Sequence, residues 1–77
     1  MKRIVVTGSK GGTGVSIVNV LRDRGCDVVG IDVVPHDMSD DSDYIQLDLR
    51  DAAGVNDALA GADGVIHFGS QALFLDL

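Results

Sequence analysis

The sequence predicts an α/β fold: a doubly wound parallel sheet of about four strands in the order 3-2-1-4. Three observations lead there. Short β-branched runs alternate with segments whose apolar residues recur at helical spacing, which is the pattern of a parallel sheet covered by helices. A glycine-rich turn stands between the first run and the first helical segment. The chain has 77 residues, enough for one small domain with one thin core.

Residues 3–7, Arg-Ile-Val-Val-Thr, read as a buried strand, since parallel strands covered on both faces are continuously apolar. Gly8 to Gly14 holds four glycines in seven residues. Beyond it Gly14, Ile17, Val18 and Leu21 fall at offsets 0, 3, 4 and 7, one face of a helix. Gly25 ends that helix, and Arg22 and Arg24 suit the negative end of its dipole. Residues 27–32, Asp-Val-Val-Gly-Ile-Asp, form a second buried strand. Val33 to Asp43 is a polar, acidic loop, followed by a short third strand over 44–47. A second helix is expected from about Ala52 to Ala60, with Asp51 as its N-cap and Val55, Ala58, Leu59 and Ala62 as its apolar stripe. Gly54 weakens that helix by about 1 kcal/mol relative to Ala, and Gly61 closes it. Residues 64–69 make the fourth strand, and an apolar tail with Leu73, Phe74, Leu75 and Leu77 follows. Right-handed crossovers then put the first helix on one face and the second on the other, because the chain reverses direction across strand one.

Charge and cysteine usage exclude several classes. Twelve acids, all Asp, against six bases give a net charge of −6. That balance argues against a nucleic-acid grip and against anionic membrane surfaces, both of which need clustered Lys and Arg. Ile4, Val5 and Val6 are too short an apolar run for a signal peptide, and no stretch approaches the ~18–20 apolar residues of a membrane span. Cys26 is the only cysteine, so no intrachain disulfide or Cys-rich zinc site can form, and a cytoplasmic location is expected. Cys26 itself reads as a small buried residue. Asp37, Asp40, Asp41 and Asp43 lack the spacing and the Glu of a calcium loop and read as solvated, as does the loop residue His36.

The chemistry lies in the glycine turn. Residues 7–14, Thr-Gly-Ser-Lys-Gly-Gly-Thr-Gly, fit T-G-x-x-G-x-x-G between a strand and a helix. Gly8 permits the tight turn, Gly11 lets backbone approach a pyrophosphate, and Gly14 allows close helix packing. Free N–H groups about Gly12 and Thr13 then face negative charge. Asp32 ends strand two, 18 residues after Gly14, where an acid accepts from both hydroxyls of an adenosine ribose. The same acid repels a 2′-phosphate, and no Arg follows in 33–36, so NAD(H) is favoured over NADP(H). Residues 10–16, Lys-Gly-Gly-Thr-Gly-Val-Ser, also approach a deviant Walker loop of partition-type ATPases. Val15 stands where that loop needs its phosphate-binding lysine. Flavin and S-adenosylmethionine sites share the glycine loop and strand-two acid and stay open as alternatives.

Four motifs occur in order: T-G-S-K-G-G-T-G (7–14), V-V-G-I-D (28–32), D-L-R-D (48–51) and G-A-D-G-V-I-H-F-G-S (61–70). Together they resemble the N-terminal part of an extended short-chain dehydrogenase/reductase, the NAD-dependent epimerase/dehydratase group. The H-F-G-S variant is more similar to uronate dehydrogenase relatives. The resemblance implies a truncated Rossmann fold over 1–77 that binds NAD as the cofactor half of a sugar epimerase, dehydratase or dehydrogenase. It further implies that Asp48 and Leu49 flank the adenine, and that Phe68, Gly69 and Ser70 line the adenosine-ribose side. His67 reads as a strand histidine, packed and hydrogen-bonded, outside catalysis. The family's Tyr-x-x-x-Lys pair is absent: the one tyrosine, Tyr44, is followed four residues later by Asp48. The chain alone is therefore expected to bind cofactor without turnover, and a non-catalytic NAD-sensing module or an inactive truncated product are the alternatives. A homodimer is expected, because strand four has an open edge and the tail 72–77 is apolar.

Overall fold

The computed structural model describes residues 2–35 and 43–68. Six elements follow in order: β1 (Arg3–Thr7), α1 (Gly12–Asp23), β2 (Asp27–Asp32), β3 (Tyr44–Gln46), α2 (Ala52–Leu59) and β4 (Gly64–His67). The strands form one sheet in the order β3-β2-β1-β4. Every pairing is parallel, with Val5 opposite Val29 and Val65, and Ile31 opposite Ile45. The predicted order thus holds, while β3, α2 and β4 each end one or two residues earlier than expected. At the end of β4 the Phe68 amide donates to both the carbonyl and the hydroxyl of Thr7. The tail 72–77 and the acidic residues Asp37, Asp40 and Asp41, with His36, lie outside the described residues.

Alternation along the central strands builds two half-cores. Val6 and Val28 face α1, where they meet Val18, with Ile4, Ile17, Leu21, Cys26 and Ile66 around them. Val5, Val29 and Ile31 face the other way, against Ala58 of α2, with Leu47, Leu49, Leu59 and Ala62. Val5 and Val6, both 0% exposed, are neighbours in sequence yet belong to different half-cores. This is the double winding: helices on opposite faces, so β1 and β2 are apolar on both sides.

The termini of α1 explain its bounds. At its end Gly25, with φ +85°, donates to Arg22 C=O, and the Cys26 amide donates to Leu21 C=O. These are the two bonds of a Schellman motif, closed by the apolar contact of Cys26 and Leu21 against one cluster. Helix α2 starts as predicted: the Asp51 carboxylate accepts from the Gly54 amide at 3.0 Å. Among the described residues, no helix is long and apolar enough to cross a membrane.

Candidate functional site

The loop between β1 and α1 is set by contacts that leave no room for side chains. Gly8 has φ +69°, and a Cβ there would lie 2.9 Å from the Phe68 carbonyl carbon. The glycine thus lets the loop close against the end of β4. Gly14 is tighter: a Cβ would meet the Gly8 carbonyl oxygen at 2.1 Å. Its smallness therefore lets the first turn of α1 close onto the backbone that leaves β1. Gly11 and Gly12 differ. A Cβ on Gly11 would have only Gly8 O nearby, at 3.5 Å, and one on Gly12 would meet nothing within 4 Å. The protein itself does not require glycine at these two positions.

Helix α1 begins with Gly11 as N-cap, with no side chain capping it and no acid in its first turn. The Val15 amide donates to Gly11 C=O at 2.8 Å. The amides of Gly12, Thr13 and Gly14 come before that bond and, by helix geometry, point out past the helix start. An open, uncapped and acid-free helix start is what an anion needs.

Asp32 stands beside this loop at the end of β2. One carboxylate oxygen accepts from the Lys10 amide at 2.9 Å and the other from the Val33 amide at 2.7 Å. The glycine loop and the acid, 22 residues apart in Lys10 and Asp32, are thus tied directly. A carboxylate oxygen has two acceptor directions, so each retains one for a further donor. Behind the acid, the Ser9 amide donates to Ile31 C=O at 3.2 Å. Ser9 is buried with its hydroxyl against Gly30, where a Cβ would come within 2.7 Å of Oγ. That explains the glycine in the middle of β2.

Thr7 and His67 join β1 to β4 at the same end of the sheet. His67 Nδ1 lies 2.5 Å from Thr7 Oγ1, which also accepts from the Phe68 amide at 3.2 Å. His67 Nε2 is buried, so the ring is held through Nδ1 alone. The Thr7 hydroxyl so holds Phe68 next to Gly8.

Asp48 follows β3, beyond Leu47, whose amide donates to Asp32 C=O at 2.9 Å. Its carboxylate is heavily engaged by Arg50. Oδ1 accepts from the Arg50 amide at 2.9 Å and Nε at 3.2 Å, and Oδ2 from Nε at 3.2 Å and Nη2 at 2.7 Å. These hydrogen bonds and the guanidinium charge lower the Asp48 pKa to about 2. The Leu49 side chain packs against the Val5–Ile31 half-core.

Gly8, Gly11, Gly12, Thr13, Gly14, Asp32, Asp48, Leu49 and Phe68 therefore all sit at or just beyond the carboxyl ends of the strands, where α/β sheets bind ligands. Gly69 and Ser70 lie outside the described residues. Sequence reasoning missed Lys10 as a partner of Asp32, Tyr44 behind that acid, and Arg50 on Asp48. Only the last left a local signal, the i, i+2 acid–base pair in Asp-Leu-Arg-Asp. No group of three or more potential metal ligands occurs among the described residues.

A parallel sheet in the order 3-2-1-4, with a glycine loop at its switch point and an acid ending the second strand, is a dinucleotide-type Rossmann half. The chain belongs to the NAD dependent epimerase/dehydratase family, whose model matches residues 4–74. An uncharacterized protein of Mycobacterium tuberculosis is 41% identical over 66 residues, covering 84% of this chain and 8% of the relative. An uncharacterized protein of Mycobacterium bovis matches to the same extent, 41% over 66 residues. Among solved structures, a short-chain dehydrogenase/reductase superfamily protein from Agrobacterium tumefaciens with bound NAD has TM-score 0.76 and 34% identity. It is matched over 87% of this chain and 20% of its own. Uronate dehydrogenase from Agrobacterium tumefaciens has TM-score 0.75 and 35% identity, over 90% of this chain and 26% of its own. The present chain thus spans a quarter or less of the length of most of these relatives.

Proposed function

We propose that this chain binds NAD(H) as the N-terminal cofactor-binding part of an NAD-dependent short-chain dehydrogenase/reductase acting on a sugar or uronate. The observation that carries the reading is Asp32. Its two oxygens are fixed by the amides of Lys10 and Val33, and each keeps an acceptor direction for one ribose hydroxyl. The pyrophosphate then lies over Gly11 and Gly12, where a Cβ would otherwise project into open space, against the amides of Gly12, Thr13 and Gly14. Phe68, with Gly69 and Ser70 after it, borders the adenosine ribose, and Asp48 and Leu49 the adenine. Bound NAD supplies a hydride acceptor, and this chain's residues bind and orient its adenosine half. A uronate-type substrate is favoured by the likeness to uronate dehydrogenase. The family's Tyr-x-x-x-Lys pair is absent from the 77 residues, so binding without turnover is the activity expected of them alone.

Calorimetric titration with NAD, and with ATP and magnesium as the contrasting ligand, tests this. NAD binds without magnesium, magnesium adds nothing to any binding of ATP, whose adenosine meets the same residues, and Asp32→Ala weakens NAD by about 1–3 kcal/mol, the loss of charged hydrogen bonds. Equal NAD affinity in Asp32→Ala and wild type would remove the ribose assignment.

A further inference from the structure

We infer that Tyr44 of β3 is a positioning residue for ribose recognition: it clamps the Asp32–Val34 turn, and with Lys10 it locks that turn to the glycine loop. The inference rests on the reading of Asp32 as the ribose acceptor. Its ground is the set of contacts behind that acid. The Tyr44 hydroxyl donates to Val34 C=O, with Asp32 C=O 3.2 Å away sharing the same proton. One phenol thus grips the backbone on both sides of Val33. The carboxylate of Asp32 is held separately, by the amides of Val33 and Lys10. Carbonyls are pinned from β3, one carboxylate oxygen from the glycine loop and the other by the amide of the next residue, so the side chain has little rotational freedom left.

The phenol reaches this place because of the register. Tyr44 pairs with Gly30, which has no side chain, and a Cβ on Gly30 would lie 3.7 Å from Tyr44 Cδ1. The ring therefore lies over the bare middle of β2 and extends toward its carboxyl end. Lys10 completes the clamp. Its backbone amide holds Asp32, and its ammonium stands 4.5 Å from the Tyr44 ring centroid. A cation over a tyrosine face is held by the ring quadrupole, more firmly as water is excluded. The loop that faces the pyrophosphate and the acid that faces the ribose are thereby fixed to one strand. A ligand touching both finds their spacing already set, and pre-set geometry lowers the ordering cost of binding.

The test is a double-mutant cycle on NAD affinity, with wild type, Tyr44→Phe, Asp32→Asn and the double variant measured by calorimetry. Tyr44→Phe keeps the ring under Lys10 and removes only the hydroxyl. It is expected to weaken NAD about three- to tenfold, the scale of one net hydrogen bond. In the Asp32→Asn background the same change is expected to cost less than about twofold. The 2′-deoxyadenosine analogue of NAD gives a second readout. Wild type prefers NAD over the analogue, and Tyr44→Phe reduces that preference, which simple loosening of the fold leaves intact. Lys10→Met retains the loop amide and serves if Tyr44→Phe does not fold. It is expected to weaken NAD about two- to fivefold, with the same loss of effect beside Asp32→Asn. Equal fold-losses in both backgrounds, or an unchanged preference for the 2′-hydroxyl, overturn the clamp. If Asp32→Asn by itself leaves NAD affinity unchanged, the ribose reading has failed and the clamp falls with it. If Asp32→Asn weakens NAD and Tyr44→Phe does not, the clamp alone is wrong.

Discussion

At Asp48 four donor contacts from Arg50 crowd one exposed carboxylate. They stabilise the charged form, so the folded pKa falls from the ordinary 3.8 to about 2. The group's contribution to stability is therefore present above about pH 3.8 and is lost as the pH falls through about 2. Carboxyl-carbon NMR should show Asp48 titrating near 2, and Arg50→Ala should return it toward 3.8. The engagement also bears on the adenine: a base amine that reaches Asp48 has to share an oxygen with Arg50. Two glycines make a second contrast at this scale. Gly14→Ala drives a Cβ to 2.1 Å from a backbone oxygen and should cost about 1–3 kcal/mol of stability. Gly12→Ala meets nothing within 4 Å and gains helix propensity, so stability should hold or rise by up to about 1 kcal/mol. Its methyl enters the space assigned to the pyrophosphate, so NAD affinity should fall at least about tenfold. Denaturant titration beside calorimetry reads both, and a Gly12→Ala chain that binds NAD normally would clear that space of the ligand.

Among the elements, α2 depends most on a single side chain. It has eight residues, too few for a helix to persist on propensity, and its buried contact centres on Ala58. The Asp51 cap is therefore a large share of what holds its start. Asp51→Ala should destabilise the fold by about 1 kcal/mol, and Asp51→Asn much less, read by thermal unfolding. This cap was legible in the sequence, as was the Gly25 terminus of α1, because both follow from residues adjacent in the chain. Strand order was legible too, since alternation and handedness restrict the topology. The ends of β3, α2 and β4 were not. β4 ends beside Thr7, whose carbonyl and hydroxyl both accept from the Phe68 amide 61 residues away, a contact that no pattern within β4 encodes. Gly54 likewise reads in sequence as a weak point of α2. In the fold a Cβ there would meet Leu47 Cδ1 at 2.6 Å and Asp51 Oδ2 at 2.7 Å, so its bareness accommodates the cap and the core at once.

For the whole molecule, the site is a junction between elements rather than a property of one. Lys10 of the loop, Asp32 of β2, Tyr44 of β3 and Phe68 after β4 meet at one end of the sheet. The glycine spacing and the acid at Asp32 were readable, because each is a local pattern with one mechanical use. The Lys10–Tyr44–Asp32 contacts were not, because they need the β2–β3 register, which no local pattern encodes. A ligand spanning this junction contacts segments that belong to both half-cores, through α1 on one side and β2 on the other. Unfolding either half destroys the site, so NAD should stabilise the fold as a unit. At a hundredfold excess over its dissociation constant, a ligand that binds only the native state adds about 2.7 kcal/mol. For a domain of 60–100 residues each kcal/mol moves the midpoint by roughly 4–8 °C. Calorimetric scans of the 77-residue chain should therefore show one transition that rises by more than about 10 °C with saturating NAD. Magnesium should add nothing to any shift that ATP produces, since Val15 stands where a Walker loop carries its lysine. Two separable transitions, with NAD shifting only one, would show that the half-cores fold independently and that the site belongs to one of them. A shift with inorganic pyrophosphate equal to that with NAD would assign the loop to phosphate alone and take the ribose, and Asp32 with it, out of recognition.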